Sequence, residues 1–159
     1  MSAATEAHLE IQQLVHRYAD AVVHRNGVQW TSTWAPDAVW DLGRGRLVEG
    51  IEAIGKLWYG AMAGFEATFQ AVMNGETHLD GDGASATGRW YIQESYIRAE
   101  GTTGILLAHY DDAYRKVDGE WRFARRFLQP HYAGGADLAA AFLCSAEQLR
   151  ERGVEGVDV

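Results

Sequence analysis

The chain has 159 residues, of which 47% are hydrophobic, and these values predict a single domain with a sizeable core. Its 22 acidic and 14 basic residues give a formal net charge of −8. Because surplus negative charge repels nucleic-acid phosphates and anionic lipids, we expect neither nucleic acid nor a membrane as a partner. No apolar stretch reaches the roughly 18 residues of a membrane span, and the start of the chain lacks the pattern of a signal peptide. The only cysteine, Cys144, cannot form an internal disulfide, which favours a soluble, cytoplasmic protein.

The N-terminal third predicts helices and a short strand pair. Apolar residues recur at helical spacing from about Thr5 to His24, and Tyr18 lies on their side of the helix. A short helix is predicted over Val28 to Trp34, with Pro36 as its stop. A brief strand, 38–42, then turns through Gly43-Arg44-Gly45-Arg46 and returns at 47–49, and a third helix follows Gly50.

The remaining sequence is mostly of β type. Long strands are predicted at about 66–79, 89–100, 103–117 and 120–128. Asp118-Gly119 joins the last two, and this dipeptide between alternating strands is the strongest short-range signal for a hairpin. After the Gly134-Gly135 pair, a C-terminal helix is predicted at about 136–152. Helices first and long strands afterwards indicate an α+β domain with a curved antiparallel sheet that encloses a pocket.

The order of elements and one motif together resemble a known family. The motif is Tyr-x-x-x-Asp-Gly-x-Trp, formed by Tyr114, Asp118, Gly119 and Trp121, and the run ATGRWY precedes it at 86–91. From about Ile11 to Tyr132 the chain resembles the SnoaL-like branch of the nuclear transport factor 2-like superfamily, closest in pattern to bacterial bile-acid dehydratases.

The resemblance implies a cone-shaped barrel around an apolar pocket, also described as a cystatin-like fold. It implies one SnoaL-like domain over 1–159, with its core at about 5–132. It further implies a homodimer formed through the exposed sheet, and dehydration, isomerisation or related chemistry without metal or organic cofactor. A hydrophobic small molecule is the expected ligand.

This chain departs from the dehydratase pattern at the positions that carry the family's proton transfer. The aspartate of the dyad corresponds to Val23, and its histidine to Gln70 or Ala71. Two further positions, a tyrosine and an arginine in those dehydratases, are Leu42 and Pro130 here. Simple transfer of dehydratase chemistry is therefore not expected.

Two residues are predicted to be catalytic. Tyr18, on the inward face of the first helix, could donate a hydrogen bond to a carbonyl or enolate oxygen. Glu94 alternates with Trp90, Ile92 and Tyr96 onto the face that the resemblance assigns to the pocket, where desolvation would raise its pKa and suit it to act as a base. The alternatives are a core tyrosine and a structural ion pair of Glu94 with Arg125.

Further residues are predicted to contact a ligand by their place on the pocket face or near its mouth. They are Trp40, Trp58, Gln70, Asn74, Tyr96, Tyr110, Arg125 and His131. Three other tryptophans, Trp30, Trp34 and Trp121, are predicted to serve core or dimer packing. His16, Asp20 and His24 recur every four residues on the polar side of the first helix, where we expect a solvated face and no metal site.

Three functions follow from this interpretation. The first is a cofactor-independent lyase or isomerase that acts on a hydrophobic cyclic carbonyl compound, with Tyr18 as hydrogen-bond donor and Glu94 as base. The second is a ligand-binding or accessory protein that retains the cone but not the catalysis. The third is an interaction module that uses the open sheet face, which an interior filled by side chains would favour.

Overall fold

The structure is a computed structural model that describes residues 2–143 and 145–154. Cys144, and with it the prediction about its chemistry, lies outside the described residues. The helices are α1 (Ala3–His24), α2 (Gly27–Ser32), α3 (Ile51–Ala63) and α4 (Ala146–Glu151). The strands are β1 (Trp34–Asp41), β2 (Leu47–Glu49), β3 (Phe65–Leu79), β4 (Ser85–Arg98), β5 (Thr103–Val117) and β6 (Glu120–Gly134).

Helix α1 forms where the apolar periodicity predicts it, two residues earlier at its start. Ser2 caps it by accepting a hydrogen bond from the Thr5 backbone N–H at 3.2 Å. The helix ends at Arg25, whose left-handed backbone, with φ of 53°, closes the last turn. Tyr18 lies on its buried side, as predicted.

The predicted hairpin is confirmed. Asp118 and Gly119 have φ angles of 51° and 83°, so both central residues of the turn adopt positive φ, and Val117 pairs with Glu120. Positive φ at both positions is the requirement of a two-residue type I′ turn, and an Asp-Gly pair meets it at little cost. The turn thereby fixes the register of β5 and β6, two of the three longest strands in the sheet.

All six strands form one sheet in the order β2-β1-β6-β5-β4-β3. The α+β class and the curved sheet are as predicted, but the expectation of a purely antiparallel sheet is wrong for one pair. Strand β1 runs parallel to β6, with Trp40 beside Arg126, so the sheet is mixed and is not closed into a barrel. The cause is topological, since the long meander from β3 to β6 returns the last strand alongside the first.

Both prolines lie inside strands, which for Pro36 differs from the predicted helix stop. Pro36 lies inside β1, where the register with β6 shifts between Trp34 and Val39, and the second helix accordingly ends at Ser32 rather than Trp34. Pro130 lies inside β6 opposite Ala108, next to a bulge, and the strand continues to Gly134. A proline lacks a backbone N–H, and an irregular pairing tolerates that loss.

The C-terminal helix is shorter than predicted and begins at Ala146 rather than near residue 136. Leu138 has a φ of 58°, which is incompatible with a right-handed helix, and the Asp137 carboxylate accepts a hydrogen bond from the Ala139 N–H. Ser145 and Gln148 form a capping box that sets the actual start. The spacing of apolar residues therefore predicts a longer helix than the one that forms.

Helices α1, α2 and α3 cover one face of the sheet, which we call the inner face, and the opposite side is the outer face. Inner positions alternate along each strand, for example Trp90 and Ile92 on β4 and Ala108 and Tyr110 on β5, and all four are buried. The inner face and these helices enclose the hydrophobic core. Within the described part of the chain, no helix has the length and apolarity needed to cross a bilayer.

Candidate active site

The centre of the inner face is an aromatic cluster that belongs to the core. Trp30 stacks on Trp58 with ring centroids 4.7 Å apart, and Trp34 and Trp40 lie within 6 Å of Trp30. Tyr18 contacts this group through Trp30, at 5.4 Å. Five of the predicted positions, Tyr18, Trp30, Trp34, Trp40 and Trp58, are thus brought together, and their side chains fill this part of the interior.

One central residue, Arg126, was missed by the sequence analysis. It is fully buried on the inner face, and its guanidinium carbon lies 3.7 Å from the ring centroid of Tyr110 and 4.2 Å from that of Tyr18. Phe123 flanks the same group at 3.9 Å. A guanidinium stacked on aromatic faces gains cation–π stabilisation, which is larger when the pair is desolvated.

A β-bulge explains why the wrong arginine was assigned to this face. Strict alternation places Arg125 with Phe123, but the pairing of β5 with β6 shifts between Ala113 and Tyr114, so one extra residue is inserted before Arg125. Arg126 therefore points inward. Arg125 points outward and forms a salt bridge with Asp41, so the expected ion pair between Glu94 and Arg125 does not form. Because neighbouring residues of a strand face opposite sides of the sheet, the adjacent pair Arg125-Arg126 was the sequence signal that one arginine faces inward.

Asp112 neutralises Arg126 with ideal geometry. Two guanidinium nitrogens of Arg126 donate to the carboxylate at 2.8 Å each, and the Tyr114 hydroxyl donates to the same group at 2.8 Å. Burial alone would lower the pKa of Arg126, but the charge and hydrogen bonds of Asp112 outweigh it and raise that pKa. Arg126 consequently carries a permanent positive charge beneath the aromatic cluster.

Two tyrosine hydroxyls lie beside this charge. Burial raises the pKa of Tyr18, and nearby Arg126 offsets part of that rise. Burial also raises the pKa of Tyr110 well above its ordinary value, with Tyr18, Arg126 and Glu94 close enough to influence it. Both phenols are therefore protonated near neutral pH and can act as hydrogen-bond donors.

Glu94 lies on the inner face of β4 directly opposite Gln70 of β3. The Gln70 side-chain amide donates to the Glu94 carboxylate at 2.9 Å. Burial raises the pKa of Glu94, and the Gln70 hydrogen bond partly offsets the rise. Among the described residues no cation lies within ion-pair distance of Glu94. The carboxyl group is thus desolvated but not neutralised by a partner.

Several buried donors in this region have no acceptor in hydrogen-bonding geometry within the described chain. They are the third guanidinium nitrogen of Arg126, Nη1, and the indole N–H groups of Trp30, Trp34 and Trp40, and the Gln70 amide oxygen is likewise an unpaired acceptor. Unsatisfied buried donors are costly and rare in native proteins. Arg126, Trp30 and Trp34 contact Tyr18, and their unpaired donors suit an oxygen acceptor on a bound molecule.

Solvent reaches the inner face at one end of the sheet. Along β4, Trp90 and Ile92 are buried, whereas Glu94 and Tyr96 are only half-buried. Phe65 of β3 packs edge-on against Tyr96 with centroids 5.6 Å apart. Val23, the position of the family aspartate, is also half-buried near this end of α1. We call this end, defined by Glu94, Tyr96 and Phe65, the mouth.

Three predicted ligand contacts lie away from the mouth. Asn74 is exposed at a bulge in β3 and lines a cavity of about 340 Å³ between that strand and α1. Arg125 lies on the outer face, and His131 is on that side also, where its Nε2 lies 2.7 Å from Nδ1 of His109. Burial, and then the neighbouring His109, lower the pKa of His131.

Two larger cavities also lie outside the aromatic cluster. One, of about 460 Å³, borders Tyr96 and is lined by apolar residues such as Phe69 and Ile97. The other, of about 500 Å³, is lined by charged residues of the outer face that include Arg125. Tyr18 and Glu94 line neither of them, nor the 340 Å³ cavity.

Comparison with known families supports the assignment made from the fold. Residues 3–127 match the model of the SnoaL-like domain. The chain belongs to the SnoaL-like family. The matched range contains all of α1 to β5 and much of β6, including Tyr18, Glu94 and Arg126. No curated protein matches the chain significantly.

Several solved structures share the fold of this chain. A candidate scytalone dehydratase from Novosphingobium aromaticivorans superimposes with a TM-score of 0.72 at 22% identity, covering 83% of this chain and 89% of its own. A candidate aromatic ring hydroxylase from the same species gives 0.75 at 23%, with 86% and 98% coverage. A hexachlorocyclohexane dehydrochlorinase of LinA type 3 from Novosphingobium barchaimii gives 0.72 at 18%, with 86% and 94% coverage. At these identities the likeness shows the fold alone.

Proposed function

We propose that this SnoaL-like protein is a cofactor-independent lyase or isomerase that acts on a hydrophobic cyclic carbonyl compound. The observation that carries the proposal is Glu94, a desolvated carboxylate with no cationic partner in the described chain, hydrogen-bonded to Gln70 at a mouth open to solvent. A carboxylate with a raised pKa is a stronger base than one in water and is suited to proton transfer near neutral pH.

The proposed reaction starts with proton removal by Glu94. The carboxylate takes a proton from the carbon next to the carbonyl, and the electron pair of that C–H bond moves to the carbonyl oxygen to give an enolate. In an isomerase, the protonated Glu94 returns the proton to another carbon of the conjugated system. In a lyase, the enolate electrons instead expel a leaving group from the β-carbon, and Glu94 protonates that group as it departs.

Hydrogen-bond donors near Tyr18 would stabilise the enolate. Tyr18 and Tyr110 are protonated phenols, and the unpaired N–H groups of Arg126, Trp34 and Trp40 lie in the same cluster. Donors held in place within a dry site stabilise developing negative charge far more than water does. Asp112 neutralises the charge of Arg126, so this residue contributes through the N–H groups of Nη1, which have no acceptor in the described chain. The surrounding indole rings favour a flat, apolar ring system as the body of the substrate.

Deuterium uptake tests the proposal without knowledge of the natural product. A hydrophobic cyclic ketone such as 2-tetralone is incubated with the protein in deuterated water, and exchange of its α-protons is followed by mass spectrometry. We expect the wild type to accelerate exchange and Glu94→Gln to reduce the enzymatic rate by about 10²-fold or more. Tyr18→Phe should reduce it by about 10- to 100-fold, since it removes one oxyanion donor.

The matched control is Glu66→Gln, which removes an exposed carboxylate from the neighbouring strand β3. It changes the net charge equally but should leave exchange unchanged. Full activity in both Glu94→Gln and Tyr18→Phe would refute the roles given to these residues.

A second candidate function is a non-catalytic small-molecule-binding or accessory protein. The observation that favours it is the absence of the dehydratase dyad, since the aspartate position is Val23 and the histidine position is Gln70 or Ala71. Tight binding of cyclic ketones with no deuterium uptake across a panel of them would select this function over the first.

We also propose that the protein forms a homodimer through the outer face. Phe69 of β3 is 62% exposed there, and Ile97 of β4 lies beside it. Large apolar side chains grouped on a sheet surface commonly mark an interface. Sedimentation at micromolar concentration should give a dimer mass for the wild type and a monomer mass for Phe69→Glu, and a monomeric wild type would contradict the proposal.

A further inference from the structure

The 500 Å³ cavity on the outer face, which we call the outer groove, crosses four long strands. Glu76, Arg89, Asp111 and Phe127 form one continuous row, each residue paired in register with the next. Because all four alternate away from the inner face, their side chains form the floor of the groove. Residues 152–153 of the C-terminal segment close one end. The volume is within the range of small-molecule sites.

Most charges in the outer groove neutralise one another. Arg89 donates to the two carboxylate oxygens of Asp111 at 2.6 and 3.1 Å, and Arg125 forms a salt bridge with Asp41. The Asp41 carboxylate also accepts a hydrogen bond from the Gly43 N–H at 2.8 Å, so both of its oxygens are engaged. These pairs contribute little net field to a ligand.

Unlike Arg89 and Arg125, Arg152 has no carboxylate partner among the described residues. Its Nε donates to the side-chain oxygen of Gln129 at 2.6 Å, and Gln129 is fully buried, so the guanidinium is fixed in orientation. Among the described residues no carboxylate lies within ion-pair distance of it. Burial lowers the pKa of Arg152, and the like charge of Arg44 lowers it further. A half-buried arginine thus faces a second cation without a counter-ion.

Arg44 comes from the turn between β1 and β2. The turn Gly43-Arg44-Gly45 has three consecutive positive φ angles, of 77°, 55° and 76°, and Arg44 is exposed at its tip. A Cβ placed on Gly43 would lie 3.8 Å from Nη2 of Arg152, so the turn and the guanidinium are neighbours. In a protein of net charge −8, two adjacent cations that have no carboxylate partner in the described part of the chain are unusual.

We propose that the outer groove binds a small organic anion, whose carboxylate or phosphate group is held by Arg152, with Arg44 of the adjacent turn as a second cation nearby. The two terminal nitrogens of a guanidinium match the geometry of two oxygens on either group, and a fixed guanidinium loses little entropy on binding. The body of the ligand lies along the groove above Phe127 towards Arg89 and Asp111. This site is separate from the mouth and from the residues proposed for catalysis.

Calorimetric titration at low ionic strength tests the site, with inorganic phosphate in one arm and benzoate in the other. We expect the wild type to bind at least one of these probes and Arg152→Gln to weaken that binding about 10-fold, since a hydrogen bond to a charged group is lost. Tighter phosphate binding would indicate a phosphorylated ligand, and tighter benzoate binding an aromatic carboxylate.

The matched control is Arg98→Gln, which removes a cation that contacts Phe65 and Tyr96 at the opposite end of the sheet. It should change the affinity less than twofold, whereas Arg44→Gln, in an exposed turn where misfolding is not expected, should weaken it several-fold. No binding of either probe by the wild type at up to 50 mM would overturn the proposal. An equal loss of affinity in Arg98→Gln and Arg152→Gln would also overturn it, because it would show non-specific attraction.

Discussion

Arg126 and Asp112 form a bidentate salt bridge with two hydrogen bonds of 2.8 Å, and both side chains are excluded from water. The pair joins β6 to the inner face of β5 and supports the rings of Tyr18 and Tyr110. Its position links the stability of the fold to the chemistry proposed for the site, since the same guanidinium presents its unpaired Nη1 near the expected carbonyl oxygen.

Asp112→Asn should destabilise the protein strongly. It leaves the Arg126 guanidinium buried without a counter-charge, and breaking one side of a buried pair costs about 3–5 kcal/mol. Chemical denaturation should show the loss as a lower midpoint. The double variant Asp112→Leu with Arg126→Met, which removes both charges, should recover much of it. A double variant no more stable than Asp112→Asn would show that the unpaired charge is not the cause.

Gly75→Ala should also destabilise, for a steric reason. A Cβ at this position would lie 2.4 Å from the indole of Trp90 and 2.6 Å from the Arg89 carbonyl oxygen, so the strand or the ring must shift. Such overpacking costs about 1–3 kcal/mol. Gly81→Ala is the control, because nothing lies within 4 Å of its Cβ. Thermal denaturation of both variants checks this, and equal melting temperatures would contradict it.

Replacement of Glu94 should change how stability depends on pH. Its pKa is raised in the folded state, so the folded protein binds the proton more tightly than the unfolded chain does. Stability from this group is therefore greatest at low pH and falls as the pH rises from the ordinary glutamate value through the raised pKa. Compared with the wild type, Glu94→Gln should gain stability across this window and keep the gain at higher pH.

Urea denaturation of both proteins at a series of pH values measures that gain. Glu66→Gln, on the exposed side of β3, should show no such trend relative to the wild type. A difference between Glu94→Gln and the wild type that does not vary with pH would mean that Glu94 titrates normally.

The Gln70 side chain should lower the pKa of Glu94, the proposed base. Its side-chain amide hydrogen bond favours the ionised form of Glu94 and so lowers the pKa of that carboxyl group. In Gln70→Leu this donor is lost, and we expect the pKa of Glu94 to rise further. Carbon NMR of the glutamate side-chain carboxyl groups measures the shift directly. An unchanged or lower pKa would show that the hydrogen bond is absent in solution.

Short-range sequence patterns were sufficient to predict much of the fold. The apolar stripe of α1 and the Asp118-Gly119 turn depend on short-range chemistry, and both form as predicted. The parallel pairing of β1 with β6 was not predicted, because it joins segments about 85 residues apart and no local pattern encodes it. The prediction of a long C-terminal helix was wrong for the opposite reason. The spacing of apolar residues there is helical, but the backbone of Leu138 has a positive φ, which a right-handed helix does not allow.

In the candidate site, too, short-range patterns predicted some positions correctly, whereas a position that depends on the pairing of distant strands was missed. Alternation along β4 correctly placed Glu94 and Tyr96 on the inner face, and helical periodicity placed Tyr18. Arg126 was missed because a single bulge reverses the side on which residues after Phe123 lie. Such an insertion depends on how two distant strands pair, and the sequence of either strand alone does not reveal it.

The pH dependence of deuterium exchange in the wild type and in Gln70→Leu tests the central claim most directly. If Glu94 is the base, the exchange rate must rise with pH through the pKa that NMR assigns to Glu94, because only the carboxylate accepts a proton. In Gln70→Leu the inflection must move to higher pH together with that pKa. An inflection that stays fixed while the NMR pKa moves, or exchange that persists in Glu94→Gln, would contradict the role of Glu94.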